Sequence, residues 1–142
     1  MDIRLLHHVS LPVHDLEVSR RFYREIIGLN EIVRPNFPFG GAWFRLGAKQ
    51  ELHLIVAADI PDAEATYRDG KGINSEDIHL ALRVASYRRV VEFLGSKGYT
   101  QDGDSQSKMR MKLNPHSITG YPQIYILDPD RHMIEINADA LD

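Results

Sequence analysis

The sequence predicts an α+β fold built from two tandem units, each running strand, helix, strand, strand, strand. The first observation is a repeat: the strand-like sequence around His8 is echoed around His79, 71 positions later. The second is that the Phe following each strand, Phe22 and Phe93, keeps the same offset of 71. A chain that repeats itself at half its length is typical of two copies of one supersecondary unit.

Unit one is predicted to span about residues 3–58. Residues 5–13 alternate between apolar and polar side chains, which is the period of a strand with two different faces. Asp15 or Ser19 can cap the helix that follows, and Gly28 ends it. Three short strands, separated by segments rich in turn formers, complete the unit: residues 32–33, 42–46 and 52–56.

A connector rich in charge and glycine, residues 59–76, precedes unit two, with a short helical turn predicted near residues 63–67. Unit two is predicted to span about residues 77–138, so that residues 1–142 form a single domain. After its first strand we expect a helix over 87–94, a strand near Tyr99, an extended segment over 109–113 and strands over 123–127 and 133–137 around a turn at 128–131.

The composition excludes several classes of protein. The net charge of −3 provides no basic field for nucleic acid or anionic lipid. The chain has no cysteine, which removes disulfides, thiolate ligands and thiolate nucleophiles. No apolar run approaches the roughly 20 residues that span a bilayer, and no signal-peptide pattern is present. We therefore expect a cytoplasmic protein that acts on a small molecule, with no nucleic-acid or membrane partner.

Four side chains are placed to carry chemistry. His8 and His79 lie near the start of the first strand of each unit, and His53 and Glu135 lie in the last strand. Because side chains alternate along a strand, their apolar neighbours pack under the helix and these four face the other side. If each sheet curls with its helix outside, all four line the concave face. Three imidazoles and a carboxylate then suit a divalent metal such as Zn, Ni, Mn or Fe(II).

Two alternatives stay open at this site. A single histidine in a strand is more often a hydrogen-bonded structural residue, but four polar groups at matching positions, one a costly buried Glu, favour the metal. Glu51 lies two residues before His53 on the same face and could replace it as a ligand.

The opening and closing motifs resemble the vicinal-oxygen-chelate proteins, the superfamily of glyoxalases, bleomycin-resistance proteins and extradiol dioxygenases. The opening motif is residues 8–13 with Asp15-Leu16, Phe22-Tyr23 and Gly28-Leu29; the closing motif is Asp128-Pro129-Asp130 followed by Ile134-Glu135-Ile136. Arg34-Pro35, Phe37, Phe39 and residues 41–44 further resemble glyoxalase-I-like members. The resemblance spans nearly the whole chain and is weakest over 57–76 and 100–118.

The resemblance implies paired βαβββ units whose curled mixed sheets close a cup around one metal, with the helices outside. The ligands it implies are His8, His53, His79 and Glu135, and it also implies a homodimer. Glyoxalase I more commonly has Glu at the position of His53, so the metal and the reaction remain open. A second departure is Arg131, where the family usually has Gly in the turn, which predicts strain if that position needs a positive φ.

The function this implies is a metal-dependent glyoxalase-like lyase or isomerase that chelates vicinal oxygens of a small substrate and stabilises an enediolate. Glu135 would carry the proton. The residues predicted to contact substrate are Arg83, Gln123, Tyr125 and Arg110. The alternatives are an Fe(II) extradiol-type dioxygenase, nucleophile transfer to an epoxide as in the fosfomycin-resistance members, whose three ligands a functional His53 counts against, and a metal-free protein that sequesters a flat ligand.

Overall fold

The structure is a computed structural model that describes residues 1–57, 73–102, 104 and 107–142. The chain divides into two units, Met1–Pro61 and Asp62–Asp142. The helical turn predicted near residues 63–67 lies outside the described residues. That the two units form a single domain stays a prediction.

Unit one contains a mixed four-stranded sheet and one helix. Its elements are β1 (His8–Val13), α1 (Leu16–Glu25), β2 (Glu31–Ile32), β3 (Gly41–Leu46) and β4 (Gln50–Val56). The strand order is β1-β4-β3-β2. β1 runs parallel to β4, and the other neighbours are antiparallel. The strand predicted from residue 5 begins at His8.

Helix α1 starts after Asp15, as predicted, but it ends at Glu25, three residues before Gly28. The Asp15 side chain caps it by accepting the backbone N–H groups of Glu17 (3.0 Å) and Val18 (3.1 Å). Phe22 and Tyr23 are buried, and the helix packs against β3 and β4. The other predicted cap, Ser19, is instead a buried residue inside the helix.

Unit two repeats this arrangement. Its elements are β5 (His79–Ser86), α2 (Tyr87–Ser96), β6 (Lys112–Asn114), β7 (Gln123–Leu127) and β8 (Met133–Ala140). The order is β5-β8-β7-β6, with β5 parallel to β8 and the remaining pairs antiparallel. Each unit is therefore a βαβββ unit with a mixed sheet, which confirms the predicted fold class.

The strand predicted near Tyr99 is wrong. Thr100 makes only an isolated bridge with Arg110, although Tyr99 itself is buried. An aromatic residue among polar neighbours packs into the core here without a ladder. The extended segment predicted over 109–113 becomes a strand only from Lys112.

The alternation of side chains sorts each sheet into an apolar face and a polar face. In β4, Leu52 and Leu54 are fully buried, so His53 between them points to the opposite face. In β8, Ile134 and Ile136 are buried on the side where α2 packs, and Glu135 points away from it. Among the described residues, no helix is both long and apolar enough to cross a bilayer.

In the turn between β7 and β8, Arg131 has a φ of 65°. This is the left-handed region, as expected at a position where the family usually has Gly. We expect Arg131→Gly to raise the free energy of unfolding by about 0.5–1 kcal/mol, because a side chain in this region costs roughly 1–2 kcal/mol, part of which the more flexible unfolded glycine cancels. Gly28 has a φ of +80° with open space around an added Cβ, so Gly28→Ala should lower the free energy of unfolding. Urea unfolding of both variants measures this; a less stable Arg131→Gly would contradict it.

Candidate functional site

The site in unit two centres on His79 and Glu135, from the adjacent strands β5 and β8. The imidazole Nε2 of His79 lies 3.0 Å from Oε2 of Glu135. The other ring nitrogen, Nδ1, lies 2.6 Å from the backbone carbonyl of Asp77. Since a carbonyl only accepts hydrogen bonds, Nδ1 donates a proton to it, and Nε2 is the ring nitrogen that faces the carboxylate.

The second carboxylate oxygen of Glu135 has different partners. Oε1 accepts the side-chain amide N–H groups of Gln123 (3.0 Å) and Asn137 (2.9 Å). Gln123 in turn accepts an N–H from the side chain of Asn114 at 3.0 Å. The two oxygens of one buried carboxylate are thus divided, one toward amides and one toward His79.

The electrostatics of Glu135 follow from these contacts. Burial raises its pKa, but hydrogen bonds from Asn137, Gln123 and Tyr125, with the nearby His79, lower it by more, so the net pKa lies below its ordinary value. Burial, the nearby charge of Glu135 and the hydrogen bond to it raise the pKa of Tyr125 to about 12. At neutral pH the site holds a carboxylate and a neutral phenol.

The raised pKa of Tyr125 predicts a loss of stability in alkali. A phenol whose folded pKa lies above its unfolded value of 10 stabilises the fold below pH 10 and loses that contribution as the pH rises toward about 12. Burial also raises the pKa of Tyr99 to about 12, so Tyr99 adds to this loss of stability. In urea unfolding, the free energy of unfolding should fall less between pH 9 and pH 11 in Tyr125→Phe than in the wild type. The exposed Tyr121, changed to Phe, is the control and should match the wild type.

The site in unit one is a stack of rings. His53 lies on Trp43 with centroids 4.0 Å apart and planes within 4°, as the direct cross-strand pairing of these two residues requires. His8 stacks on the other side of His53 at 4.4 Å and 12°. His8 Nδ1 also lies 3.0 Å from Nδ1 of His7, whose ring is exposed. The structure thus places His8 and His53 in contact as stacked rings.

Glu51 is joined to this stack. Its Oε2 lies 2.9 Å from His53 Nε2, and its Oε1 lies 3.2 Å from an Arg45 guanidinium nitrogen. The hydrogen bond from His53 lowers the pKa of Glu51, burial opposes this, and Arg45 lowers it further. Because a carboxylate only accepts, Nε2 of His53 donates the hydrogen bond to Glu51.

The two units fit a divalent metal differently. Two ligands about 2.1 Å from an ion and at a right angle to each other lie about 3.0 Å apart, which is the separation of the His79 and Glu135 donor atoms. Ring lone pairs lie in the ring plane, so the nearly parallel His8 and His53 rings do not point at one ion unless a ring rotates. Within the described part of the chain, no group of three or more His, Asp or Glu side chains is arranged to hold a metal. A four-ligand site stays a prediction.

The residues predicted to contact substrate are placed as follows. Gln123 and Tyr125 lie on β7 and contact Glu135. Arg83 lies on the His79 face of β5, with its guanidinium 3.5 Å over the Tyr121 ring and 3.3 Å from an Asp139 oxygen. Arg110 lies outside the four strands of its sheet, at the bridge with Thr100.

Sequence reasoning missed two groups of residues. Asn137 and Asn114 carried a weak signal: Asn137 follows Glu135 by two positions and therefore shares its face. His132 lies in a turn, a position that indicates exposure to solvent, but it is buried and its Nδ1 lies 2.9 Å from Oδ2 of the buried Asp128. That pair fastens the turn between β7 and β8.

Comparison with known proteins identifies the family. A sequence model described as Glyoxalase/Bleomycin resistance protein/Dioxygenase superfamily matches residues 5–136. The chain therefore belongs to this superfamily. It is similar to "Glyoxylase I 4" of Arabidopsis thaliana, 30% identical over 138 residues that cover 96% of this chain and 72% of that protein.

The chain is also similar to a second relative and to a solved structure. Metallothiol transferase FosB of Lysinibacillus sphaericus (strain C3-41) is 25% identical over 151 residues, covering 99% of this chain and 86% of that protein. A glyoxalase/dioxygenase from Nostoc punctiforme superposes with a TM-score of 0.69 at 24% identity, covering 96% of this chain and 92% of that one. At that identity the structural likeness shows the fold alone.

Proposed function

We propose that this protein is a divalent-metal-dependent enzyme of the glyoxalase type, a lyase or isomerase acting on vicinal oxygens of a small substrate. The observation that carries the proposal is the His79–Glu135 pair, with donor atoms 3.0 Å apart and the imidazole turned by the Asp77 carbonyl. A backbone carbonyl on the far nitrogen of a histidine is the usual outer-shell partner of a metal ligand. The relationship to a protein named "Glyoxylase I 4" supports the reaction type.

The proposed ligands are His79 and Glu135 from unit two and His8 and His53 from unit one, with Glu51 as the alternative to His53. Zn, Ni, Mn and Fe(II) all suit such nitrogen and oxygen donors. When bound, the ion would supply Lewis-acid stabilisation of the negative charge that develops as a proton leaves the carbon beside a carbonyl.

Glu135 is the proposed proton carrier, at its Oε2 atom, which would take up a proton only when it is released from the metal. Oε1 already accepts two amide N–H groups, so Oε2 is the oxygen that faces His79. Tyr125 remains a neutral donor at neutral pH and holds the carboxylate in place. Arg83, steadied by Tyr121 and Asp139, presents a cation for an anionic part of the substrate, and Arg110 remains a predicted contact.

The test combines metal binding with turnover. Protein stripped of metal is titrated calorimetrically with Zn²⁺, Ni²⁺, Mn²⁺ and Fe²⁺, then assayed on the adducts of methylglyoxal with common thiols. We expect near-stoichiometric binding that is lost in His79→Ala and kept in His116→Ala, a change of an exposed loop histidine. A wild-type protein that binds none of the ions would overturn the proposal and favour the metal-free binding alternative.

A thiol transferase is the second candidate, because of the stacked rings in unit one. His53 lies between Trp43 and His8 with its Nε2 engaged by Glu51, which favours a three-ligand set of His8, His79 and Glu135. The similarity to a metallothiol transferase supports this candidate. His53→Gln distinguishes the two: unchanged metal affinity, with thiol addition to an epoxide, favours transfer, whereas weakened affinity favours four ligands. Catechol cleavage with Fe²⁺ tests the dioxygenase alternative.

We further propose a homodimer located in the cytoplasm. Size-exclusion chromatography with light scattering should give about twice the chain mass of 16.2 kDa. A mass of one chain at micromolar concentration would contradict the dimer.

A further inference from the structure

We propose that Gln123 and Asn137 are positioning residues, whose side-chain amides hold Glu135 so that it binds a divalent cation through Oε2 alone. The inference rests on the proposed function of the same site and gives Gln123 a role other than the substrate contact expected from the sequence.

Both amide donors to Glu135 are on the same carboxylate oxygen, and Tyr125 donates a third hydrogen bond to the carboxylate. Oε1 accepts N–H groups from Gln123 at 3.0 Å and from Asn137 at 2.9 Å, whereas Oε2 lies 3.0 Å from His79 Nε2. Hydrogen bonds to a charged group are stronger than neutral ones. To turn Oε1 toward an ion, the carboxylate would have to break both.

The direction of the amides is fixed by a row of three amide side chains across the sheet, Asn114, Gln123 and Asn137, here called the amide row. Asn114 and Asn137 are the direct cross-strand partners of Gln123 on its two sides. Because Asn114 donates to Oε1 of Gln123 at 3.0 Å, the Nε2 group of Gln123 must face Glu135. Gln123 and Glu135 are both buried, so water competes little for these bonds.

Binding through one oxygen has a chemical consequence for the ion. A carboxylate that binds through both oxygens fills two coordination positions, whereas one held at Oε1 fills a single position. The position left over is available to the second of two vicinal substrate oxygens. Ca²⁺ commonly takes carboxylates through both oxygens, whereas smaller transition-metal ions accept one. The amide row therefore favours the smaller ions.

The test uses variants that remove a donor at similar volume. Gln123→Met and Asn137→Leu should each weaken Co²⁺ binding about 10-fold, which is the lower end of the range for lost outer-shell partners. Each should also lower the ratio of Co²⁺ affinity to Ca²⁺ affinity. The visible spectrum of bound Co²⁺ should change as a second oxygen enters. Asn36→Leu, in an exposed loop of unit one, is the matched control. Wild-type affinity and spectrum in both folded variants would overturn the inference.

A measurement on the unaltered protein covers variants that do not fold. In ¹⁵N-labelled protein, the side-chain amide protons of Gln123 and Asn137 should exchange slowly with solvent and stay protected when Zn²⁺ is added. Loss of protection on Zn²⁺ binding means that Oε1 has moved to the ion, which overturns the inference alone. Absence of Co²⁺ and Zn²⁺ binding by the wild type overturns the inference and the proposed function together.

Discussion

Glu135→Gln is expected to lower kcat/KM on the thiol adduct of methylglyoxal by about 10²–10⁴-fold, the range for a lost general acid–base group. The substitution keeps the shape of the side chain but removes its charge, and with it the proposed metal ligand and the proposed proton carrier. Circular dichroism and urea unfolding should show a folded protein.

Glu92→Gln is the matched control for this substitution. Glu92 lies on α2 with an exposed side chain and only a loose contact, 3.9 Å, to Arg88. Its variant should retain wild-type turnover. If Glu135→Gln retained full activity with its fold intact, Glu135 would not carry the chemistry.

Phe44→Ala is expected to lower the free energy of unfolding by about 3–5 kcal/mol. Phe44 is completely buried in β3, directly opposite Leu52 of β4 and next to the Tyr23 ring of α1. Truncation leaves a cavity between helix and sheet. Such a loss is a large part of the total stability of a typical domain, which is roughly 5–15 kcal/mol.

The same substitution at an exposed position provides the comparison. Phe39 is 45% exposed, and Phe39→Ala should change stability far less, since it removes little buried surface. Urea unfolding measures both variants. Equal losses at the two positions would contradict the assignment of Phe44 to the core of unit one.

The sequence was sufficient for features that depend on local periodicity. Alternation placed His53 and Glu135 on the face opposite the helices, and the offset between His8 and His79 predicted the duplication that the strand orders show. The Asp15 cap and the positive φ of Arg131 were also accessible, because both depend on a few neighbouring residues.

Features that depend on register across strands were not accessible. The stack of Trp43 on His53 requires these residues to be direct cross-strand partners, and nothing in either segment specifies that pairing. The amide row likewise requires three strands to align Asn114, Gln123 and Asn137. The burial of His132 was not accessible either, because it depends on the contact between its ring and Asp128.

The strands at one side of each sheet, β2 and β6, contain two and three residues. Each carries a charged side chain, Glu31 or Lys112, and Glu31 is held by Arg20 at 2.8 Å. A short, charged edge strand offers few unpaired backbone groups to which a strand of another molecule could pair, which protects sheet proteins from aggregation. The short edge strands β2 and β6 therefore disfavour pairing between the two similar units during folding, and pairing with other molecules.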